Sequence, residues 1–220
     1  MRTRPTNLGR LVSNSLTPPA DKYLADIVGT EDRVDVCIMN SGGIRASIEG
    51  PSITQLDIDK ALPFNNEVVV VKVTANQFLA AMENSVCVYP STTSEMVAGR
   101  YLQMVGAEME FDASKSGVCN ATELDEGSRV RYLKVFGKGV IVENGALVNE
   151  EQEFVLATNS YLASGGDEYS SLAAAAFLGN TGLGQQHVLW DDIMGRLGGH
   201  VDIKDPPESL SVTCIGGNCL

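Results

Sequence analysis

The sequence predicts a mixed α/β (α+β) fold, with a mixed β-sheet flanked by helices. Two observations carry the element types: β-branched apolar runs of strand length, VDVCIMN and EVVVVKV, and neighbouring segments whose apolar residues recur at helical spacing. A third observation carries the class. The two kinds of segment follow one another irregularly, which fits a mixed sheet better than the strict alternation of a doubly wound one. With 44% hydrophobic and 20% charged residues, the 220-residue chain has enough apolar material for one sizeable core. Its organised part is expected over residues 1–200, with an irregular tail over 201–220.

From the N-terminus, NLGRLVSNSL places Leu8, Leu11, Val12 and Leu16 on one helical face ahead of Pro18 and Pro19, and DKYLADIVG adds a turn or two of helix ending at Gly29. VDVCIMN is a buried strand closed by the glycine turn NSGG. SITQLDIDKAL is a short helix with capping signals, LPFNN a turn, and EVVVVKV the strongest strand of the chain. ANQFLAAMENSV is a helix whose apolar face is Phe78, Leu79, Met82 and Val86. YLQMVGAEMEFD reads as strand, and the polar insertion from Ala113 to Arg129 as a long surface loop. RYLKVFGKGVIVENGALVNEEQEFVLATN reads as strands joined by turns, ENGAL being a hairpin signal, and SSLAAAAFL reads as a helix.

Charge and composition exclude several function classes. The 28 acidic residues against 16 basic ones give a formal charge of -12, which repels a nucleic-acid polymer, although a few convergent arginines can still hold one nucleotide. No apolar run reaches the roughly 18 residues of a membrane span, and the N-terminal residues lack the apolar core of a secretory signal. Cys37, Cys87, Cys119, Cys214 and Cys219 show no zinc-binding spacing. Cys37 is expected as a small buried hydrophobe, and CIGGNC as a mobile tail rather than a small disulfide loop. Neither His187 nor His200 sits in a metal-ligand or nucleophile-base motif, and both are expected as surface or loop residues.

Three stretches carry chemistry-bearing residues together: NSGGIR, ALPFNN and NSYLASGGDEY. Exposed aromatics can stack a flat base, a carboxylate can accept both hydroxyls of a ribose, and an arginine fork matches phosphate oxygens. Each also has a structural reading: Phe64 after a proline as core, Tyr161 as a strand aromatic, and Asp167 as the cap of the following helix. Composition and spacing do not decide between the two.

In order and approximate spacing, NSGGIRA, ITQLDIDKALPFNNEVVVVKVTANQF, YLQMVGAEMEFD and ATNSYLASGGDEY resemble the C-terminal, substrate-binding domain of the 5'-nucleotidase family over about residues 2–172. The resemblance implies that Asn40 and Arg45 contact a bound nucleotide, that Phe64 stacks on one side of the base, and that Tyr161, where the family often has Phe, stacks on the other. It implies that Asp167 receives the ribose hydroxyls and that Arg2, or less closely Arg4, adds to the same pocket. Gly42, Gly43, Gly165 and Gly166 would let the backbone approach the ligand.

The implied role is to hold the base and ribose of a nucleoside 5'-monophosphate while a separate N-terminal metallophosphatase domain, with two divalent metal ions, hydrolyses the ester. No Asp-x-His or Gly-Asn-His element for such metals occurs here, so the resemblance places the start of this chain at the junction of the two domains and implies no activity for it alone. It also implies an extracellular, periplasmic or cell-surface setting. A free-standing nucleoside- or nucleotide-binding protein without catalysis is the alternative.

Overall fold

The computed structural model describes residues 2–89, 99–120, 129–201, 212–217 and 219. Helix α1 (Asn7–Ser15) starts at Thr6, whose hydroxyl accepts from the Gly9 N–H. Helix α2 (Thr17–Tyr23) carries Pro18 and Pro19 in its first turn, where missing N–H groups cost nothing. It runs on through a wider turn, Leu24–Val28, and stops at Gly29, which has φ 75°.

Strand β1 (Val36–Asn40) leads through the turn Ser41–Gly43 to α3 (Gln55–Ala61), β2 (Glu67–Thr74) and α4 (Ala75–Val86). Both α3 and α4 begin with reciprocal capping boxes, Thr54 with Asp57 and Thr74 with Gln77. The segment YLQMVGAEMEFD divides at Gly106 into β3 (Leu102–Val105) and β4 (Ala107–Asp112). Gly106 has φ 91°, and any Cβ there would run into the Asp35 carbonyl. One continuous segment thereby serves two sheets.

Strands β5 (Val130–Val135), β6 (Gly139–Glu143) and β7 (Ala146–Leu147) form a meander. The β6–β7 turn is Asn144-Gly145, both at positive φ, as a two-residue hairpin turn requires. Strand β8 (Glu153–Asn159) is followed by the short helices α5 (Ser160–Ala163) and α6 (Ser170–Ala173), then β9 (Ala176–Gly184), α7 (Gln185–Asp191) and β10 (Val212–Ile215).

The first sheet has the order β3-β1-β8-β2-β9, and the second β10-β4-β5-β6-β7. Both are mixed: β1 runs parallel to β8 and β10 parallel to β4, while the other neighbours are antiparallel. Period-two alternation sorts the side chains of the first sheet. Ile38, Val71, Val73, Phe154 and Leu156 face α4 and the second sheet, where Phe78, Met82, Met109, Leu133 and Val142 complete the main core. Val68, Val70 and Ala157 face the other way, against Leu16, Ala20 and Leu24 of the N-terminal helical segment. Met39 packs against Ile58, Leu62 and Leu189 of the α3 and α7 region. The expected apolar face of α4, Phe78, Leu79, Met82 and Val86, is buried.

Two expectations are corrected. SSLAAAAFL is not one helix: α6 stops at Ala173, and from Ala176 the chain pairs with the edge of β2, Phe177 lying opposite Val71. Alanine's helix preference is worth only tenths of a kcal/mol per residue, roughly, and loses to a row of ladder hydrogen bonds at an open sheet edge. Within the expected irregular tail, Val212–Ile215 form β10 beside β4, and Cys214 and Cys219 form a disulfide rather than a mobile end. A second disulfide joins Cys87 at the end of α4 to Cys119, in the described part of the polar insertion; residues 121–128 of that insertion lie outside the described residues.

Among the described residues Cys37 is the one free cysteine, and burial raises its thiol pKa from 9.0 to about 12. The fold therefore favours the neutral thiol. Its contribution to stability is whole below about pH 9 and is lost as the pH rises toward 12. We expect Ellman's reagent at pH 8 to release no chromophore from the native protein and one equivalent from the urea-unfolded, unreduced protein. Rapid labelling of the native state would show that Cys37 is open to solvent.

Candidate ligand site at the strand ends

The parallel pairing of β1 and β8, with Cys37 opposite Ala157, brings the C-terminal ends of both strands to one edge of the first sheet. Ligand sites of open α/β sheets favour this edge, because the connections leaving it diverge and open a crevice. Asn40 and Asn159 are the last residues of these strands, both buried. The Asn159 amide donates to Asn40 Oδ1 at 3.2 Å, while its own Oδ1 accepts from the Leu162 N–H at 2.8 Å and so caps α5. Asn40 Nδ2 in turn donates to Asp167 Oδ2 at 2.8 Å, across 127 residues of sequence.

Asp167 follows the turn Gly165-Gly166 and has φ 52°, and Glu168 after it has φ 64°. Tyr161 bridges the same turn. Its hydroxyl donates to Asp167 Oδ1 at 3.0 Å and accepts from the Asp167 N–H at 3.0 Å. Burial, reinforced by the neighbouring carboxylate, raises the Tyr161 phenol above its ordinary value and keeps it a neutral donor. Each carboxylate oxygen of Asp167 thus accepts one bond from the protein and has a second lone pair for another donor.

Phe64 precedes β2, whose antiparallel register sets Val68 opposite Asn159, so Phe64 and Tyr161 leave the sheet at the same end. Phe64 is 46% exposed and Tyr161 42%, which overturns the core reading of Phe64. The Arg45 guanidinium lies 5.9 Å from the Phe64 ring centre, in cation-π range, while its backbone N–H is fixed to the Ala61 carbonyl at 2.8 Å. Arg2 is half-buried and Arg4 exposed at the N-terminus. Gln103 Nε2 donates to the Arg4 carbonyl at 3.0 Å and to Ser41 Oγ at 3.1 Å, tying this segment to the glycine turn.

The candidate glycines are accounted for by the protein's own packing. A Cβ on Gly42 would lie 2.7 Å from the Gly99 backbone, one on Gly43 would meet Met39 and Asn40, and one on Gly166 would lie 2.5 Å from the Tyr161 ring. Gly165 has φ 90°. The sequence reading did not single out Asn159, Asn84 or Arg100. The available signal, for Asn84, was the polar triplet Glu83-Asn84-Ser85 directly after the apolar run Phe78–Met82, all of it buried. His187 pairs with Asp191 on the surface of α7 at 3.1 Å. Among the described residues no group of three or more His, Cys, Asp or Glu is gathered to hold a metal ion, and no helix is long and apolar enough to cross a membrane.

Comparison with known proteins agrees with this architecture. The 5'-nucleotidase, C-terminal domain family matches residues 1–174. Protein 5NUC of Lutzomyia longipalpis is 28% identical over 174 residues, covering 74% of this chain and 27% of that protein. A 5'-nucleotidase of Diplobatis ommata is 25% identical over 214 residues, covering 89% of this chain and 33% of that protein. The crystal structure of the 5'-nucleotidase precursor from Thermus thermophilus superposes with a TM-score of 0.73 at 26% identity, over 99% of this chain and 37% of that one. The chain thus spans roughly a quarter to a third of the length of these curated relatives. Family match, relatives and superposition converge, and the chain belongs to the 5'-nucleotidase C-terminal domain family.

Proposed function

We propose that this chain is the nucleotide-recognition domain of a 5'-nucleotidase-type metallophosphohydrolase, holding the base and ribose of a nucleoside 5'-monophosphate. The observation that carries the reading is Asp167. Its carboxylate is held on one oxygen by Asn40 and on the other by Tyr161, an exposed aromatic that bridges the same turn. A vicinal diol presents two donors at a spacing that matches the two carboxylate oxygens, and charge-assisted bonds of this kind are the strong ones. Phe64 and Tyr161 supply ring faces for the base, and Arg45, with Arg2 or Arg4, supplies positive charge for the phosphate in a strongly acidic chain.

Two divalent metal ions in a separate N-terminal metallophosphatase domain would supply the Lewis acid and the activated water. The residues of this chain contribute positioning, which converts binding energy into rate once the partner domain meets the same phosphate. The Cys87–Cys119 and Cys214–Cys219 disulfides support an oxidising setting, extracellular, periplasmic or at the cell surface.

Calorimetric titration of the chain with AMP and adenosine, without metal, tests the reading. Saturable binding, tighter for AMP, is expected, and Phe64→Ala is expected to weaken it at least tenfold, in line with about 1–3 kcal/mol for a base-aromatic stack. No heat from a folded sample would overturn the recognition role, and an unchanged Phe64→Ala titration would remove Phe64 from the base site.

A further inference from the structure

Behind the Asp167 turn lies a second polar network that the proposed binding site does not itself use. At its centre is Asn84, on α4 and only 2% exposed. Its Nδ2 donates to the Asp167 backbone carbonyl at 3.0 Å. Its Oδ1 accepts from Arg100 Nη1 at 2.9 Å and from the Asn120 N–H at 3.0 Å. Arg100 continues outward, pairing through Nη2 with Glu168 at 2.8 Å, and its carbonyl accepts from the Tyr169 hydroxyl at 2.5 Å. Asn120 Oδ1 accepts from Ser170 Oγ.

Thus Asp167, Glu168, Tyr169 and Ser170 are each tied, directly or through one partner, to Asn84, Arg100 or Asn120. The Cys87–Cys119 bridge closes the arrangement, since Cys87 lies one turn beyond Asn84 and Cys119 immediately precedes Asn120.

The turn needs such ties. Two successive non-glycine residues at φ 52° and 64° occupy the left-handed region, which is unfavourable for an L-residue, so the conformation persists only where its surroundings impose it. Asn40 and Tyr161 fix the Asp167 carboxylate from the ligand side, whereas Asn84 fixes its backbone from the core side. A carboxylate that must meet two hydroxyls at once tolerates little wandering of its Cα, because geometry a fraction of an ångström loose forfeits one of the two bonds.

We propose that Asn84 is a positioning residue for ribose recognition, acting through Asp167, with Arg100 and Glu168 as its outer brace. The proposal rests on the reading of Asp167 as the ribose acceptor. It makes Asn84 matter for the sugar hydroxyls and not for the base or the phosphate.

The test titrates wild type and Asn84→Ala with AMP and with 2',3'-dideoxyadenosine 5'-monophosphate, which keeps base and phosphate and lacks both hydroxyls. Wild type is expected to prefer AMP by at least about tenfold, the equivalent of one charge-assisted hydrogen bond. Asn84→Ala is expected to bring that preference to within about threefold while dideoxy binding stays at the wild-type level. Equal weakening of both ligands, or a preserved preference, overturns the positioning role with the ribose reading intact. A wild type that does not distinguish the two ligands instead overturns the ribose reading, and this proposal with it. Should Asn84→Ala fail to fold, as judged by circular dichroism, Glu168→Gln takes its place, because Glu168 is exposed and its change leaves the core untouched. That variant is expected to narrow the preference about two- to threefold, and an unaltered preference overturns the proposal.

Discussion

Asp167→Ala is expected to weaken AMP binding about a hundredfold or more, the largest effect of any single change in the proposed site. Two charge-assisted hydrogen bonds to the sugar are lost, each worth roughly 1.5–3 kcal/mol. The loss does not stop there. Asn40 Nδ2 and the Tyr161 hydroxyl both donate to this carboxylate, and without it the buried Asn40 amide is left short of an acceptor while the Tyr161 ring is freed on one side. Asp167→Asn provides the finer comparison. It keeps the size but offers one acceptor oxygen where two are needed, so its affinity is expected to fall between wild type and Asp167→Ala. Calorimetric titration against a folded-state control measures both variants. An Asp167→Ala protein that binds AMP within about threefold of wild type would place the sugar elsewhere.

Glu83→Ala is expected to destabilise the fold by about 2–6 kcal/mol, because two buried backbone donors lose their charged acceptor at once and each unsatisfied group costs about 1–3 kcal/mol. Glu83 is completely buried in α4, and its two oxygens accept from the backbone N–H groups of Arg129 at 3.0 Å and Val130 at 2.7 Å, where β5 begins. The Arg129 side chain makes the reciprocal clamp, donating through Nη1 to the carbonyls of Val86 and Tyr89 and through Nε to that of Lys115 at 3.0 Å. Burial pulls the Arg129 guanidinium below its ordinary pKa and Glu83 opposes that pull, so the variant removes a favourable charge from beside Arg129 as well as the acceptor of two backbone donors. Against a total stability of about 5–15 kcal/mol for a domain, this is a large share. Urea unfolding followed by circular dichroism gives the number, with Glu83→Gln expected to lie between the two. A loss below about 1 kcal/mol would mean that water or a rearranged side chain replaces the carboxylate.

Features whose interacting residues lie within a few positions of one another were legible in the linear string. The Thr54 and Thr74 capping boxes, the Asn144-Gly145 turn and the strand Glu67–Thr74 depend on residues that meet their partners locally, so the string contains both halves of each interaction. SSLAAAAFL misled for the complementary reason. Its alanines favour a helix, but the open edge of β2 that captures Ala176–Gly184 is supplied by residues about a hundred positions earlier. The strand Val212–Ile215 depends in the same way on β4.

The candidate site divides along the same line. NSGGIR and NSYLASGGDEY announced residue types suited to a nucleotide, and the resemblance to the 5'-nucleotidase C-terminal domain assigned them to one pocket. That Asn40 hydrogen-bonds to Asp167, that Tyr161 bridges its own turn, and that Asn84 and Glu83 hold a helix to distant loops required the three-dimensional arrangement. A polar side chain on a buried helix face looks like an anomaly until its partner is known, and the partner is chosen by strand pairing. By itself the sequence determined the local elements, the apolar faces and the chemical inventory of the site, because periodicity, capping and turn preference act over a few residues. Only the tertiary structure decided which of those groups meet, because the parallel register of β1 and β8 is set by packing on both faces of the sheet and not by either strand alone.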